Sequence, residues 1–167
     1  MNKNTRHDSL KIILVDSDIQ MMSLMEADQC VQQYSISTGK NGMGEVINSE
    51  MTPRGWHQIR AKIGHNAPAN TVFVERRATG EIFNSLMRSS FPGRDWILTR
   101  ILWLSGLEVG KNRLGQVDTM RRYIYIHGSP DDVQMGAPGS RGCIRMHNHD
   151  IIQLFEWTPA STKVLIR

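Results

Sequence analysis

The pair His127-Gly128 stands sixteen residues ahead of Cys143, and the stretch between them is almost all loop-forming. A thiol attacks only as its thiolate, and its free pKa is about 8.5. An adjacent imidazole can take the proton, and nearby guanidinium charge lowers the cost of the anion. Arg141 and Arg145, two residues to either side of the cysteine, supply that charge. Gly142, directly before Cys143, lets the backbone approach a substrate closely, and N–H groups in such a turn can cradle a tetrahedral oxyanion. The chemistry in view is acyl transfer, with Cys143 as nucleophile and His127 as base.

A triad also needs a group that orients the imidazole. No acid adjoins His127; Asp118, Asp131 and Asp132 are candidates by chain proximity, and a backbone carbonyl accepting one N–H would serve as well. Two other readings compete. Free cysteines are often inert core residues, and Cys30, in a strand-like segment, reads that way. Cys143, His147, His149 and His127 could form a Cys-His₃ zinc site, although the spacing fits no standard structural pattern. Two cysteines permit one disulfide but do not make a disulfide scaffold.

Short strands bounded by turn residues must position these groups. Lys11 to Val15 reads as a strand. Ile19 to Met25 and Cys30 to Ser37 read as a hairpin joined at Glu26-Ala27-Asp28-Gln29. A glycine-rich loop follows over residues 38–44, then the turn Thr52-Pro53-Arg54-Gly55 and a strand from Trp56 to Ile63. Residues 64–95 read as an excursion from the sheet, with a lid over the site as one use. Trp96 to Leu104 and Tyr123 to Ile126 are apolar and read as buried strands, the second running straight into His127. Residues 128–142 form an irregular loop. After Cys143 the apolar period changes: Ile151, Ile152, Leu154 and Phe155 mark one face of a short helix with Asn148 as N-cap, closed by Pro159. Lys163 to Arg167 is a final strand. The expected fold is mainly β, two packed sheets with one short helix after the cysteine, in a single domain over 11–167 behind a flexible N-terminus, 1–10.

The chain has 167 residues, 40% hydrophobic, with a net charge of +4. Fourteen of its twenty basic residues are Arg, whose planar fork suits carboxylates and phosphates. The basic residues are at most paired, as in Arg76-Arg77 and Arg121-Arg122, which argues against a nucleic-acid partner. No stretch has the roughly 18–20 apolar residues of a membrane span. Asp16 and Asp18 interrupt the first apolar run, so no export signal is read and a cytoplasmic location is expected, or a periplasmic one if a leader has been removed.

The strings Tyr125-Ile126-His127-Gly128-Ser129 and Ser140-Arg141-Gly142-Cys143-Ile144-Arg145 resemble the signature of the L,D-transpeptidase (YkuD-type) catalytic domain. That signature is a His-Gly, a loop, and Ser-x-Gly-Cys-(Ile/Val)-Arg; x, often His in the family, is Arg141. Ser37-Thr38-Gly39 and Thr52-Pro53-Arg54-Gly55 resemble two further family loops, and the likeness covers roughly residues 11–167. The resemblance implies a β-sandwich with Cys143 as nucleophile, His127 as base and the Gly128 carbonyl orienting it. Ser140, Arg141 and Gly142 would shape the oxyanion pocket, and Arg145 would support the cysteine turn or bind a substrate carboxylate. It implies no metal, no organic cofactor, and acylation by carbapenem β-lactams. The substrate would be the tetrapeptide stem of peptidoglycan, free or as a muropeptide, whose carboxylates suit Arg100, Arg122, Arg141 and Arg145. With water as acceptor the expected enzyme is a cytoplasmic L,D-carboxypeptidase of wall recycling. With an amine as acceptor it is an exported L,D-transpeptidase, and with a retired site it is a module that binds wall fragments.

Overall fold

The computed structural model describes residues 10–167. The N-terminal segment expected to be flexible lies outside the described residues except for Leu10. The elements are β1 (Lys11–Asp16), β2 (Met21–Glu26), β3 (Gln29–Ser35), β4 (Gly55–Ile63), β5 (Thr71–Val74), β6 (Arg77–Ile82), α1 (Ser85–Ser90), β7 (Ile97–Gly106), β8 (Tyr125–Ser129), β9 (Ile144–His147), α2 (Asn148–Trp157) and β10 (Lys163–Ile166).

Strict alternation in the outer strands builds the core. Ile13 and Val15 of β1 face Leu24 and Met22 of β2 on one side, and Val164 and Ile166 of parallel β10 on the other. All six are essentially inaccessible to solvent. At about 25 cal/mol per Å² of apolar surface, each such side chain contributes roughly 1.5–3 kcal/mol. The β2–β3 hairpin turns on Ala27 and Asp28, both at positive φ, as two-residue hairpin turns require.

Hydrogen bonding runs as one curled ten-stranded sheet in the order β3-β2-β1-β10-β4-β7, with β5-β6 beyond β7 and β8-β9 branching from it. The two layers expected from the alternation are therefore parts of a continuous mixed sheet. Ser37, just past β3, pairs with Arg145 on β9, so the far ends of the sheet meet beside Cys143. Curling lets one core form inside: Ile126, Ile144 and Met146 join the β1–β2–β10 residues there, with Ile151, Leu154 and Phe155 of α2.

Three local expectations change. A second short helix, α1, occupies part of the 64–95 segment, and β5 pairs with β7, so this segment extends the sheet rather than leaving it. Asn148 opens α2 but does not cap it. Its amide accepts from the Thr99 hydroxyl and donates to Asn70 (2.8 Å), tying the helix start to the β7 bulge. Cys30 is exposed on β3, not buried in the core.

Candidate active site

Tyr125 and His127 alternate with the core residues Ile124 and Ile126, so they face away from the core. Parallel β9 repeats the pattern: Ile144 and Met146 point inward, Cys143 and Arg145 outward. The register sets Ile126 against Ile144 and His127 against Arg145. Cys143 therefore stands beside Tyr125, one diagonal step from His127. Diagonal partners on one face sit roughly 7–8 Å apart, within reach of an imidazole and a thiol.

His127 is almost fully buried. Its Nδ1 lies 2.7 Å from the Gly128 carbonyl oxygen, which can only accept, so Nδ1 carries the hydrogen and Nε2 keeps a lone pair. Burial holds the imidazole below its usual pKa, against the opposing pull of Asp95 and the Gly128 carbonyl, which keeps it neutral. Asp118, Asp131 and Asp132, the acidic alternatives, are engaged elsewhere. Asp118 caps the 114–121 turn by accepting from Leu114 and Arg121 N–H, Asp131 meets Asn148, and Asp132 pairs with Arg88.

Cys143 Sγ accepts from the Tyr125 N–H at 3.3 Å and donates to the Tyr123 carbonyl at 3.4 Å. It packs against the buried cluster of Phe73, Ile101 and Tyr125. Burial pushes the thiol up to about 12, with the Tyr125 N–H, Arg145 and Arg122 pulling against that rise and Asp95 adding to it. At rest the pair is a neutral thiol and a neutral imidazole. The thiol proton must be taken as the nucleophile turns toward its target.

The turn before Cys143 is built by the two upstream loops. The Ser140 hydroxyl donates to the Cys143 carbonyl and accepts from the Gly142 N–H at 3.1 Å. The Gly142 N–H is thus spent on the turn and not offered to an oxyanion. Ser140 N–H reaches the Thr38 carbonyl, and Thr52 Oγ1 accepts from Gly39 N–H and donates to the Gly142 carbonyl, both at 2.8 Å. Gly142 has φ 122°, and a Cβ there would stand 3.1 Å from the Met51 carbonyl oxygen. Gln20, missed in the sequence, grips Thr38 through both ends of its side-chain amide.

The arginine candidates separate. Arg100 does not reach the site: it is buried against Phe155 and donates to the Ala67 and Thr99 carbonyls. Arg122 lines the Cys143 cavity, but its guanidinium is tied to Gly44, Ser49 and Met51. Arg145 pairs with Asp95 at 3.0 Å and holds the Gly139 carbonyl, so it supports the cysteine turn. Arg141 is exposed and opens onto the cavity. The four zinc-site candidates do not converge; among the described residues no group of three or more His, Cys, Asp or Glu is placed to hold a metal ion.

Cys143 opens into a cavity of about 570 Å³, which Asp95 and Arg76 also line. A second cavity of about 370 Å³ adjoins it, sharing Arg122, Tyr123, Ile124 and Arg141 as a common wall. Arg76 and Asp95 fell within the 64–95 segment, where no local pattern marks them. Among the described residues no helix is long and apolar enough to cross a membrane.

Comparison with known proteins bears on the family and the fold. Over 41 residues the chain is 46% identical to the putative L,D-transpeptidase YqjB of Bacillus subtilis, a match covering 25% of this chain and 23% of that protein. An L,D-transpeptidase from Mycobacterium smegmatis superposes with a TM-score of 0.60 at 16% identity, covering 95% of this chain and 59% of that one. The L,D-transpeptidase LdtMt1, solved in complex with imipenem, gives 0.56 at 14% identity, covering 95% and 59%. The chain thus spans less than two thirds of these relatives, and the structural likeness speaks for the fold. The L,D-transpeptidase catalytic domain family model matches residues 10–166, and the chain belongs to that family.

Proposed function

We propose that the protein is an L,D-carboxypeptidase that removes the terminal D-Ala from peptidoglycan tetrapeptide stems through a thioester on Cys143. The observation that carries this reading is the placement of His127, fixed by the Gly128 carbonyl, on the same face of the β8–β9 pair as Cys143, which opens onto a cavity. Nε2 of His127 takes the Sγ proton as sulfur bonds to the scissile carbonyl carbon. The C–N bond then breaks, and the imidazolium returns that proton to the leaving amine. Water, deprotonated by the same nitrogen, attacks the thioester; the C–S bond breaks and the thiol is restored.

Charge around the site supports water as the acceptor. The Cys143 cavity is lined by Arg76, Arg122 and Arg141 against Glu75 and Asp95, and Asp95 is already paired with Arg145. In the second cavity Arg121, Arg122 and Arg141 face one acid, Glu50. The amine of a second stem is protonated in water, and such a field disfavours its ammonium group beside the thioester even though it draws in stem carboxylates, whereas water is indifferent. The proposal includes a cytoplasmic location, acting on soluble wall fragments, which cell fractionation tests. Carbapenems are expected to acylate Cys143, as the neighbour solved with imipenem suggests.

The adjoining cavity favours a second reading, an L,D-transpeptidase that seats a second stem there. Incubation with disaccharide-tetrapeptide, analysed by mass spectrometry beside Cys143→Ala, decides between the two. Tripeptide plus free D-Ala supports hydrolysis, a crosslinked dimer supports transpeptidation, and binding without turnover in either protein supports a binding module.

A further inference from the structure

Arg76 and Glu75 form the two-residue turn between β5 and β6, and both line the cavity onto which Cys143 opens. Their φ values are 65° and 48°. Such turns favour Asn-Gly or Asp-Gly, because the left-handed conformation costs an ordinary side chain roughly 1–2 kcal/mol. Here neither residue is glycine, so contacts made by the tip must hold it. Arg76 supplies them. Its Nη1 donates to the Tyr125 hydroxyl at 2.9 Å, and its guanidinium carbon lies 4.6 Å from the Tyr123 ring centre and 5.0 Å from that of Trp103.

These partners are a neutral phenol and two ring faces, which orient a guanidinium without cancelling its charge. The other cations at the site are differently placed. Arg122 gives its donors to the 44–51 loop, Arg145 is ion-paired to Asp95, and Arg141 is exposed and, among the described residues, held by no side chain. Among these four cations Arg76 alone combines a fixed orientation with a guanidinium held in no ion pair among the described residues, Glu75 beside it acting only through space, and a receptor that is already oriented loses least on binding. A peptide cut at its last bond carries a carboxylate one residue beyond the scissile carbonyl, about 3.5 Å of chain. Such a substrate needs a cation on the cavity wall beside the nucleophile.

We propose that Arg76 is a specificity-determining residue that receives the free C-terminal carboxylate of the peptide, restricting Cys143 to the last residue of a chain. The inference rests on reading the site as one that cleaves a peptide. It holds for either acceptor, because acylation comes first in both.

The test compares a tetrapeptide stem ending in free D-Ala with the same peptide ending in D-alanine amide. Turnover is measured on the wild type, Arg76→Gln and Arg76→Lys, and binding by calorimetry on Cys143→Ala and Cys143→Ala/Arg76→Gln. The wild type should prefer the acid by roughly 10- to 100-fold in kcat/KM, the size of one charged hydrogen bond. Arg76→Gln should lose that preference, the acid losing through KM roughly 10- to 100-fold more than the amide loses, and Arg76→Lys should restore part of it. The Cys143→Ala protein should show the same preference in Kd, lost in the double variant. Equal losses on both peptides, or a wild type indifferent to the amide, would overturn the proposal and leave Arg76 a brace for the hairpin. Absence of turnover with an intact acid preference in binding would instead remove the peptidase reading and keep the carboxylate receptor.

Discussion

His127 Nδ1 donates to the carbonyl of the next residue, Gly128, at 2.7 Å, and the same glycine allows no side chain. A Cβ there would stand 2.5 Å from Asn148 Oδ1 and 2.6 Å from the Leu98 carbonyl oxygen. Gly128→Ala must therefore push β8 away from α2 and move the carbonyl that sets the imidazole. Turnover should fall by at least about 100-fold, the share of a positioned general base, with a lowered Tm. Near-normal turnover in a folded Gly128→Ala protein would remove the carbonyl from the catalytic arrangement.

The thiol's elevated pKa makes a second expectation. With Cys143 raised to about 12, alkylation by iodoacetamide should be slow at neutral pH and climb roughly tenfold per pH unit well past pH 9. A plateau near pH 6 or 7 would mean a thiolate–imidazolium pair already formed at rest.

Arg100 and Arg145 should part company when each is replaced by Met. Arg100 packs on Phe155 and bonds backbone carbonyls, so Arg100→Met should leave KM within a factor of about two while changing Tm. Arg145→Met frees Asp95 and the Gly139 carbonyl beside the nucleophile, so kcat should drop. A large KM rise in Arg100→Met would contradict its placement away from the cavity.

His57 gives the fold an acid-sensitive point. It is fully buried between the Gly55 carbonyl and the Thr119 hydroxyl, and burial lowers it to about 4 from 6.5. The unfolded chain binds this proton more readily, so the stabilisation is complete above about pH 6.5 and is lost as pH falls toward 4. The shift is worth about 3 kcal/mol. Buried His127 shifts in the same direction, so the informative comparison is with His57→Gln, which should unfold less steeply in urea across this window. Parallel pH profiles would assign the acid sensitivity to other groups.

Thr52→Val keeps the shape of a fully buried side chain but strands the Gly39 N–H and the Gly142 carbonyl. A loss of about 1–3 kcal/mol is expected in chemical denaturation, with slower acylation because the turn before Cys143 loosens. An unchanged protein would mean that the two loops hold that turn without the threonine.

Much of the site was legible because its parts are local in the chain. The order His127-Gly128, Ser140 to Arg145, and the alternation of Ile124 and Ile126 with Tyr125 and His127 are written in neighbouring residues, and strand geometry alone turns them outward. The two upstream loops were visible as motifs, but their convergence on Gly142 was not, since Thr52 and Gly142 are ninety residues apart. Alternation also indicated β1, β2 and β4, a continuous apolar run indicated β7, and helical spacing indicated α2. What the tertiary structure alone decided is which arginine meets the cavity. All four candidates carry the same charge in sequence, and only packing shows Arg100 turned to Phe155, Arg145 bound to Asp95 and Arg122 tied to a loop. Arg76 lay in a segment without a clear period, and it reaches the site because β5 joins β7 and carries the hairpin tip to Tyr125. Sequence determines side-chain chemistry and local direction, whereas long-range pairing determines which charges are spent and which remain to meet a substrate.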